Sequence, residues 1–271
     1  MKNKLITLLA AGAGLALCQT ASAQFAYNQN DILLGFRSPT LSYDYVVDLG
    51  PASQFYSAAP GTTFSINNYS GSSLTSIFGG LDGLSFAIFG DVRSFGNTNG
   101  AFNTLWISSA RSDINVQTSP LIQNSTASQG AVGGQIDSIA NGAVTYGAQI
   151  GIDSVTNSPF AVTVSDGFNA IGIGTSYTIG VGSAGNFANT FQSSAENTIP
   201  GGFASGSSPL RSDFYELNPG SGSGTYLGYF ELAQDGDLTF TAVPEPSTWA
   251  MLGAGALLLF GLNRFRHSTK N

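Results

Sequence analysis

The sequence predicts a mainly β, sandwich-like single domain with one or two short helices, flanked by an N-terminal signal helix and a C-terminal transmembrane helix. Three observations carry that expectation. Short runs rich in Val, Ile, Tyr, Phe and Thr recur between Gly, Asn, Asp, Ser and Pro residues at the spacing of an all-β sandwich or barrel. The stretch between the two flanking segments, residues 24–243, has 220 residues, which suits one domain. That stretch holds seventeen Phe, ten Tyr and Trp106 but no Cys, so apolar burial rather than disulfides must hold it together.

Residues 1–23 have the build of a secretory signal. Lys2 and Lys4 form the charged start, Leu5 to Leu17 the apolar stretch, and Ala21-Ser22-Ala23 the small-residue cleavage site that would leave Gln24 as the new terminus. The apolar stretch falls well short of the ~20 residues a membrane span needs. Cys18 offers lipidation as a lesser alternative, because the bulky Leu17 stands where a small residue should precede a lipidated cysteine.

Along the body, the strand pattern falls on Asp31 to Phe36, Tyr43 to Leu49, Leu84 to Phe89, Thr104 to Ser109, Val144 to Ile152, Ala161 to Val164, Tyr177 to Val181, Asp213 to Leu217, Tyr226 to Leu232 and Leu238 to Ala242. The last two flank Ala233-Gln234-Asp235-Gly236-Asp237, whose Asp-Gly pair suits a five-residue hairpin loop. A helix is expected over Gln123 to Ala140, with Asn124, Ser125 or Thr126 as its cap, although Gly130, Gly133 and Gly134 each weaken it. Ser72 to Phe78 suggests a second, shorter helix. Gly182 to Ser208 and Pro219 to Gly224 read as loops of Gly, Ser and Asn, with disorder as the alternative. No fixed-period repeat is present, which argues against a solenoid or propeller.

Residues 244–271 form a distinct tail. Pro244-Glu245-Pro246-Ser247-Thr248 is an extended, helix-breaking spacer. It leads through Trp249 into the apolar run Ala250 to Leu262, followed by a basic stop at Arg264 and Arg266. Positive charge stays cytoplasmic, which leaves the body outside. At ~1.5 Å per residue the run from Trp249 to Leu262 reaches about 21 Å against a hydrocarbon core of ~30 Å, so the anchor is short.

This tail resembles the PEP-CTERM sorting signal of exported bacterial proteins. Pro244, Glu245 and Pro246 match its motif, Ala250 to Leu262 its helix, and Arg264 and Arg266 its basic end. The resemblance implies recognition and cleavage near the motif by exosortase, a membrane-embedded transpeptidase-like enzyme. It further implies transient membrane anchoring and delivery to the cell surface or extracellular space in polysaccharide-making bacteria. A weaker resemblance covers Asn30 to Arg37, Tyr45 to Gly50 and Gly228 to Thr241, which look like a recurrent uncharacterised group of PEP-CTERM proteins. It carries over no catalytic residue.

Composition narrows the function of the body. With Arg37, Arg93, Arg111 and Arg211 against fifteen carboxylates, its net charge is −11, and no basic stripe exists to neutralise a run of phosphates. Nucleic acid is therefore excluded as a partner, and anionic lipid suits the acidic body as poorly. The single His267 lies in the tail and the single Cys18 in the signal, so the body lacks the residues of Ser-His-Asp and Cys-His catalysis, of His or Cys zinc sites, and of haem or iron–sulfur ligation.

Paired carboxylates remain the chemistry least excluded, as in glycoside hydrolysis. On one strand Asp44 and Asp48 would stand about 13 Å apart, too far for a pair. Asp213 and Glu216 fall on opposite strand faces, and Asp235 and Asp237 belong to a turn. Calcium could use the oxygens of Asn97-Thr98-Asn99-Gly100 or Asp235-Gly236-Asp237, though neither extends into a known loop pattern. Tyr56, Tyr69, Tyr215 and Tyr226 are the aromatics available to a sugar. Gly172-Ile173-Gly174 and Gly180-Val181-Gly182 lack the third glycine of a dinucleotide loop. The expectation is an exosortase-sorted surface or matrix protein with a non-catalytic, polysaccharide-interacting role and no cofactor. An extracellular carbohydrate-active enzyme and a calcium-stabilised adhesive module stand as alternatives.

Overall fold

The structure is a computed structural model describing residues 25–93, 100–150, 158–165, 195–203 and 206–243. Its strands are β1 (Asp31–Arg37), β2 (Tyr43–Pro51), β3 (Thr63–Ser65), β4 (Ser85–Asp91), β5 (Leu105–Ala110), β6 (Ala161–Ser165), β7 (Asn197–Thr198), β8 (Leu210–Leu217), β9 (Thr225–Leu232) and β10 (Leu238–Ala242). The helices are α1 (Ser53–Tyr56), α2 (Gly71–Phe78) and α3 (Thr126–Ile150). The mainly β expectation is met, but the two-layer sandwich is not. The described strands form one antiparallel sheet in the order β3-β10-β9-β8-β5-β4-β1-β2-β6, with β7 paired to β4 off that path.

One sheet suffices because its strands are covered on both faces. Every residue of β4, and every residue of β1 before Arg37, is buried, so neither strand shows the one-sided alternation of a sheet that faces water. On the inner face, Ile32, Leu34, Phe36, Tyr45 and Val47 meet Phe55 of α1, Leu74 of α2 and Phe214, Phe230 and Phe240. The Phe55 ring lies 5.2 Å from Phe240, 5.4 Å from Phe230 and 6.0 Å from Phe214, within the range of favourable aromatic pairs. Phe55 follows β2, while β10 lies near the opposite edge, so the sheet curls until one ring touches strands from both sides. The segment after β3 spans the remaining gap: Ile66 N donates to Leu238 O (2.9 Å) and Asn68 Nδ2 to Asp48 O (2.6 Å).

The outer face is covered by α3. Val132, Ile136, Ile139, Ala140 and Ala143 recur at helical spacing and pack on Leu33, Val46, Ala87, Phe89, Ile107, Val162 and Val164. Ser125 caps the helix, its Oγ accepting from Ser128 N at 3.2 Å. The expected strand over Val144 to Ile152 is overturned, because α3 continues to Ile150. Alternating apolar residues there fit a strand, but they also extend the helical stripe ending at Ala143. Gly130, Gly133 and Gly147 let the helix approach its neighbours closely. A Cβ at Gly133 would stand 2.6 Å from Asp91 Oδ2, and one at Gly147 2.9 Å from Phe25 Cβ.

The short elements α1, β3 and β7 carry no sequence pattern of their own and were not expected. β7 lies in the stretch read as loop from Gly182 to Ser208. The expected Tyr177 to Val181 strand, the signal helix and the tail helix lie outside the described residues. The hairpin loop Ala233 to Asp237 forms as read, with Gly236 N donating to Ala233 O (3.0 Å) and Ala233 N to Asp237 O (2.8 Å).

Candidate functional site

The tail leaves the body directly from the sheet. At the end of β10, Ala242 N donates to Thr62 O (2.9 Å), Gly61 N donates to Ala242 O (2.8 Å), and Val243 N reaches Leu227 O (3.3 Å). Pro244, the next residue, has no N–H to donate. The sorting residues Pro244, Glu245 and Pro246, the basic Arg264 and Arg266, and the cleavage residues Ala21, Ala23 and Gln24 lie outside the described residues. Their flanks do not. Phe25 is 4 % exposed within the outer core, and Ala26 N donates to Pro159 O at 3.0 Å, so the body is engaged from the residue after Gln24.

Antiparallel pairing brings both flanks to one end of the sheet. Following the registers, the C-terminal ends of β10, β8, β4 and β2 lie beside the N-terminal ends of β9, β5, β1 and β6. This exit end carries the loops after α1 and between β8 and β9. The opposite end carries the β9–β10 hairpin, the turn before β4 and the turn after β5. Among the described residues, the exposed charged side chains are Asp82, Asp113, Asp235 and Asp237, all at that opposite end. Ile122 (50 % exposed) and Phe160 (43 %) lie at the exit end, where Ile122 pairs with Ser223 of the β8–β9 loop and Phe160 O accepts from Asp48 N.

The carboxylates that the sequence singled out around β8 and the hairpin are occupied within the fold. Asp213 and Glu216 face opposite ways, as expected: Asp213 accepts from Arg111 (2.6 Å), Tyr226 (3.0 Å) and Thr118 N (2.6 Å), while Glu216 accepts from Trp106 Nε1 (3.4 Å) and Asn218 (2.9 Å). Asp235 and Asp237 sit in the hairpin turn, Asp237 accepting from Gly71 N at the start of α2 (3.1 Å), where a carboxylate complements the helix N-terminus. Asn97 to Asn99, half of the calcium reading, lie outside the described residues. Among the described residues no group of three His, Cys, Asp or Glu is placed to hold a metal.

The four tyrosines singled out for sugar contact are engaged within the fold. Tyr69 is buried and donates to Gly236 O (2.9 Å). Tyr215 is buried and donates to Thr118 O (2.9 Å). Tyr226 donates to Asp213, and Tyr56 stacks on Trp106 with centroids 6.3 Å apart.

A carboxylate group the sequence did not reveal lies under α3 at the exit end. Asp31, Asp48 and Asp91 are buried at the ends of β1, β2 and β4, and Asp137 of α3 accepts from Arg93 Nε at 3.0 Å. Burial pushes the Asp48 carboxyl up to about 7, against the lowering effect of the Gly50 N–H and with repulsion from Asp31 adding to it. Burial likewise pushes Asp91 up to about 8, with repulsion from Asp137 adding and Arg93, 3.6 Å away, opposing. Neither Asp91 oxygen has a hydrogen-bond partner, and the Tyr27 hydroxyl beside this group has none, its ionisation held far above the usual range by burial and by Asp91. Asp31, Asp48 and Asp91 are buried, whereas Asp137 is partly exposed. The carboxylates are scattered in sequence and become one group only through strand register, so no local motif could have announced them.

Residues 242–266 match the family model of the PEP-CTERM protein-sorting motif. The match begins on the last residue of β10 and ends at Arg266, and it implies processing by exosortase and export to the cell surface. No curated protein and no solved structure matches the chain. No described helix is long and apolar enough to cross a membrane.

Proposed function

We propose that the chain is an exported surface or extracellular-matrix protein whose body, residues 24–243, acts without catalysis in contact with extracellular polysaccharide. Residues 1–23 direct export and are removed. Residues 244–271 hold the product in the membrane until exosortase cuts near Pro244-Glu245-Pro246, and Arg264 and Arg266 keep the end cytoplasmic. The observation that carries this reading is the sorting-motif match that starts where β10 ends. A domain hydrogen-bonded as far as Val243, followed at once by prolines, offers a processing enzyme an extended segment next to a folded stop.

The non-catalytic role is supported by where the acids lie. Asp48 and Asp91 are buried, Asp91 against α3 at Gly133, and Asp213 is tied to Arg111, Tyr226 and Thr118, which fits carboxylates spent on packing. The experiment is the intact mass of the product from native cells, with and without exosortase activity. Loss of residues 1–23 and of everything after about Pro246, only when the enzyme is active, is the expected result. Retention of Arg266 in both sinks the sorting reading.

A further inference from the structure

We propose that the exit end of the sheet is a membrane-facing surface, lying against the phospholipid bilayer while the tail is in place. The inference rests on the reading of residues 249–262 as a membrane helix and adds to it a docking face and an orientation.

Three observations converge on it. The tether is short: the six residue steps from Val243 to Trp249 extend at most about 20 Å, so the end from which β10 exits stays near the bilayer. Of the three large apolar side chains exposed among the described residues, Ile122 and Phe160 lie at that end, where the uncharged Ala59, Pro60, Gly220 and Ser221 are also exposed, and Val116 lies in the turn after β5. Among the described residues the exposed carboxylates, Asp82, Asp113, Asp235 and Asp237, are at the other end, while the partly exposed Asp137 at the exit end is paired with Arg93. Strands of seven to nine residues rise ~3.3 Å per residue and separate the two ends by roughly 25 Å, beyond a Debye length of about 8–10 Å. With the exit end down, the exposed carboxylates escape the repulsion of an anionic surface; inverted, all four would face it. An acidic body that is a poor ligand for anionic lipid as a whole thus keeps one face compatible with it, where exposed Phe and Ile can enter the interface.

The test uses the exported chain with its tail, purified from cells lacking exosortase activity. Replacing Cys18 leaves no other cysteine in the sequence, so Cys18→Ser allows labelling at one chosen site. A fluorophore is placed through Ser221→Cys at the exit end or Ser112→Cys at the opposite end, both exposed positions. The protein is inserted into vesicles of phosphatidylethanolamine and phosphatidylglycerol carrying a headgroup-attached nitroxide quencher. Quenching at Ser221 several-fold above that at Ser112 is expected, and I122D with F160D should at least halve it while leaving Ser112 unchanged. Circular dichroism melting checks that this surface variant stays folded.

Equal quenching at the two sites, or no effect of the paired substitution, overturns the docking face. Failure of the chain to float with the vesicles overturns the membrane-helix reading and this proposal with it. Shielding of Ser221 in detergent together with a doubled mass overturns it in favour of a second copy of the chain.

Discussion

The two faces of the sheet are held by different physics. The inner face is a closed set of rings and aliphatic chains in which Phe55, Phe214, Phe230 and Phe240 touch one another. The outer face, under α3, mixes aliphatic contacts with buried Asp48 and Asp91 and the Tyr27 hydroxyl. Rings gain from burial at any pH, whereas a buried carboxyl is tolerated only while it holds its proton. The inner face should therefore set the stability of the domain, and the outer face should set how that stability depends on pH.

The largest expected effect would break the inner face. Phe55→Ala empties the centre of the ring cluster and should cost about 3–5 kcal/mol, equally at pH 5 and pH 8, in denaturant unfolding. A loss that varied with pH would show that the two faces are not separate.

Next comes the outer face. The folded-state carboxyl of Asp91 lies near 8 and its unfolded value near 4, so between those values the native state holds a proton the unfolded chain has released. The stability these groups contribute is greatest below about pH 4 and falls by about 1.4 kcal/mol per pH unit for each such group as pH rises toward the folded value. Asp91→Asn should remove Asp91's share of that slope, leaving the domain on the order of 5 kcal/mol more stable than the parent at pH 8 and unchanged near pH 4. Melting curves across that range decide it, and an unaltered slope would move the pH sensitivity elsewhere.

A smaller test returns to the inner side, where the β9–β10 hairpin packs on the start of α2. A Cβ at Gly71 would stand 1.8 Å from the Asp235 carbonyl oxygen, so Gly71→Ala should cost about 2 kcal/mol through forced displacement of the loop. The smallest change is Ser70→Ala. It removes the cap that accepts from Ser73 N and should cost about 1 kcal/mol, read from the same unfolding curves. Neither loss should depend on pH if the division between the faces holds.

Much of the fold was legible because local signals are strong. β1, β2, β8, β9 and β10 appear where runs of β-branched and aromatic residues end at turn residues, and the Asp-Gly hairpin forms where its sequence places it. The strand read over Val144 to Ile152 failed because a short apolar alternation fits both periods, and the packing of α3 on β4 and β6 decides between them. Of the candidate site, the sorting motif was legible as a contiguous string. The buried Asp31, Asp48 and Asp91 and the half-buried Asp137 were not, since they come together only in register.

The sequence by itself determined the sorting motif, the absence of Cys and His from residues 24–243, the acidic balance and the positions of most strands. Composition, contiguous motifs and short periods express all of these. Only the tertiary structure decided that the described strands make one curled sheet, that acids gather at one end of it, and that, among the described residues, the exposed charge stands opposite the exit of the tail. Alternation along a strand states which side chains share a face, but it names no neighbouring strand. Sheet order, and with it the end at which each loop lands, depends on pairings between segments far apart in the chain.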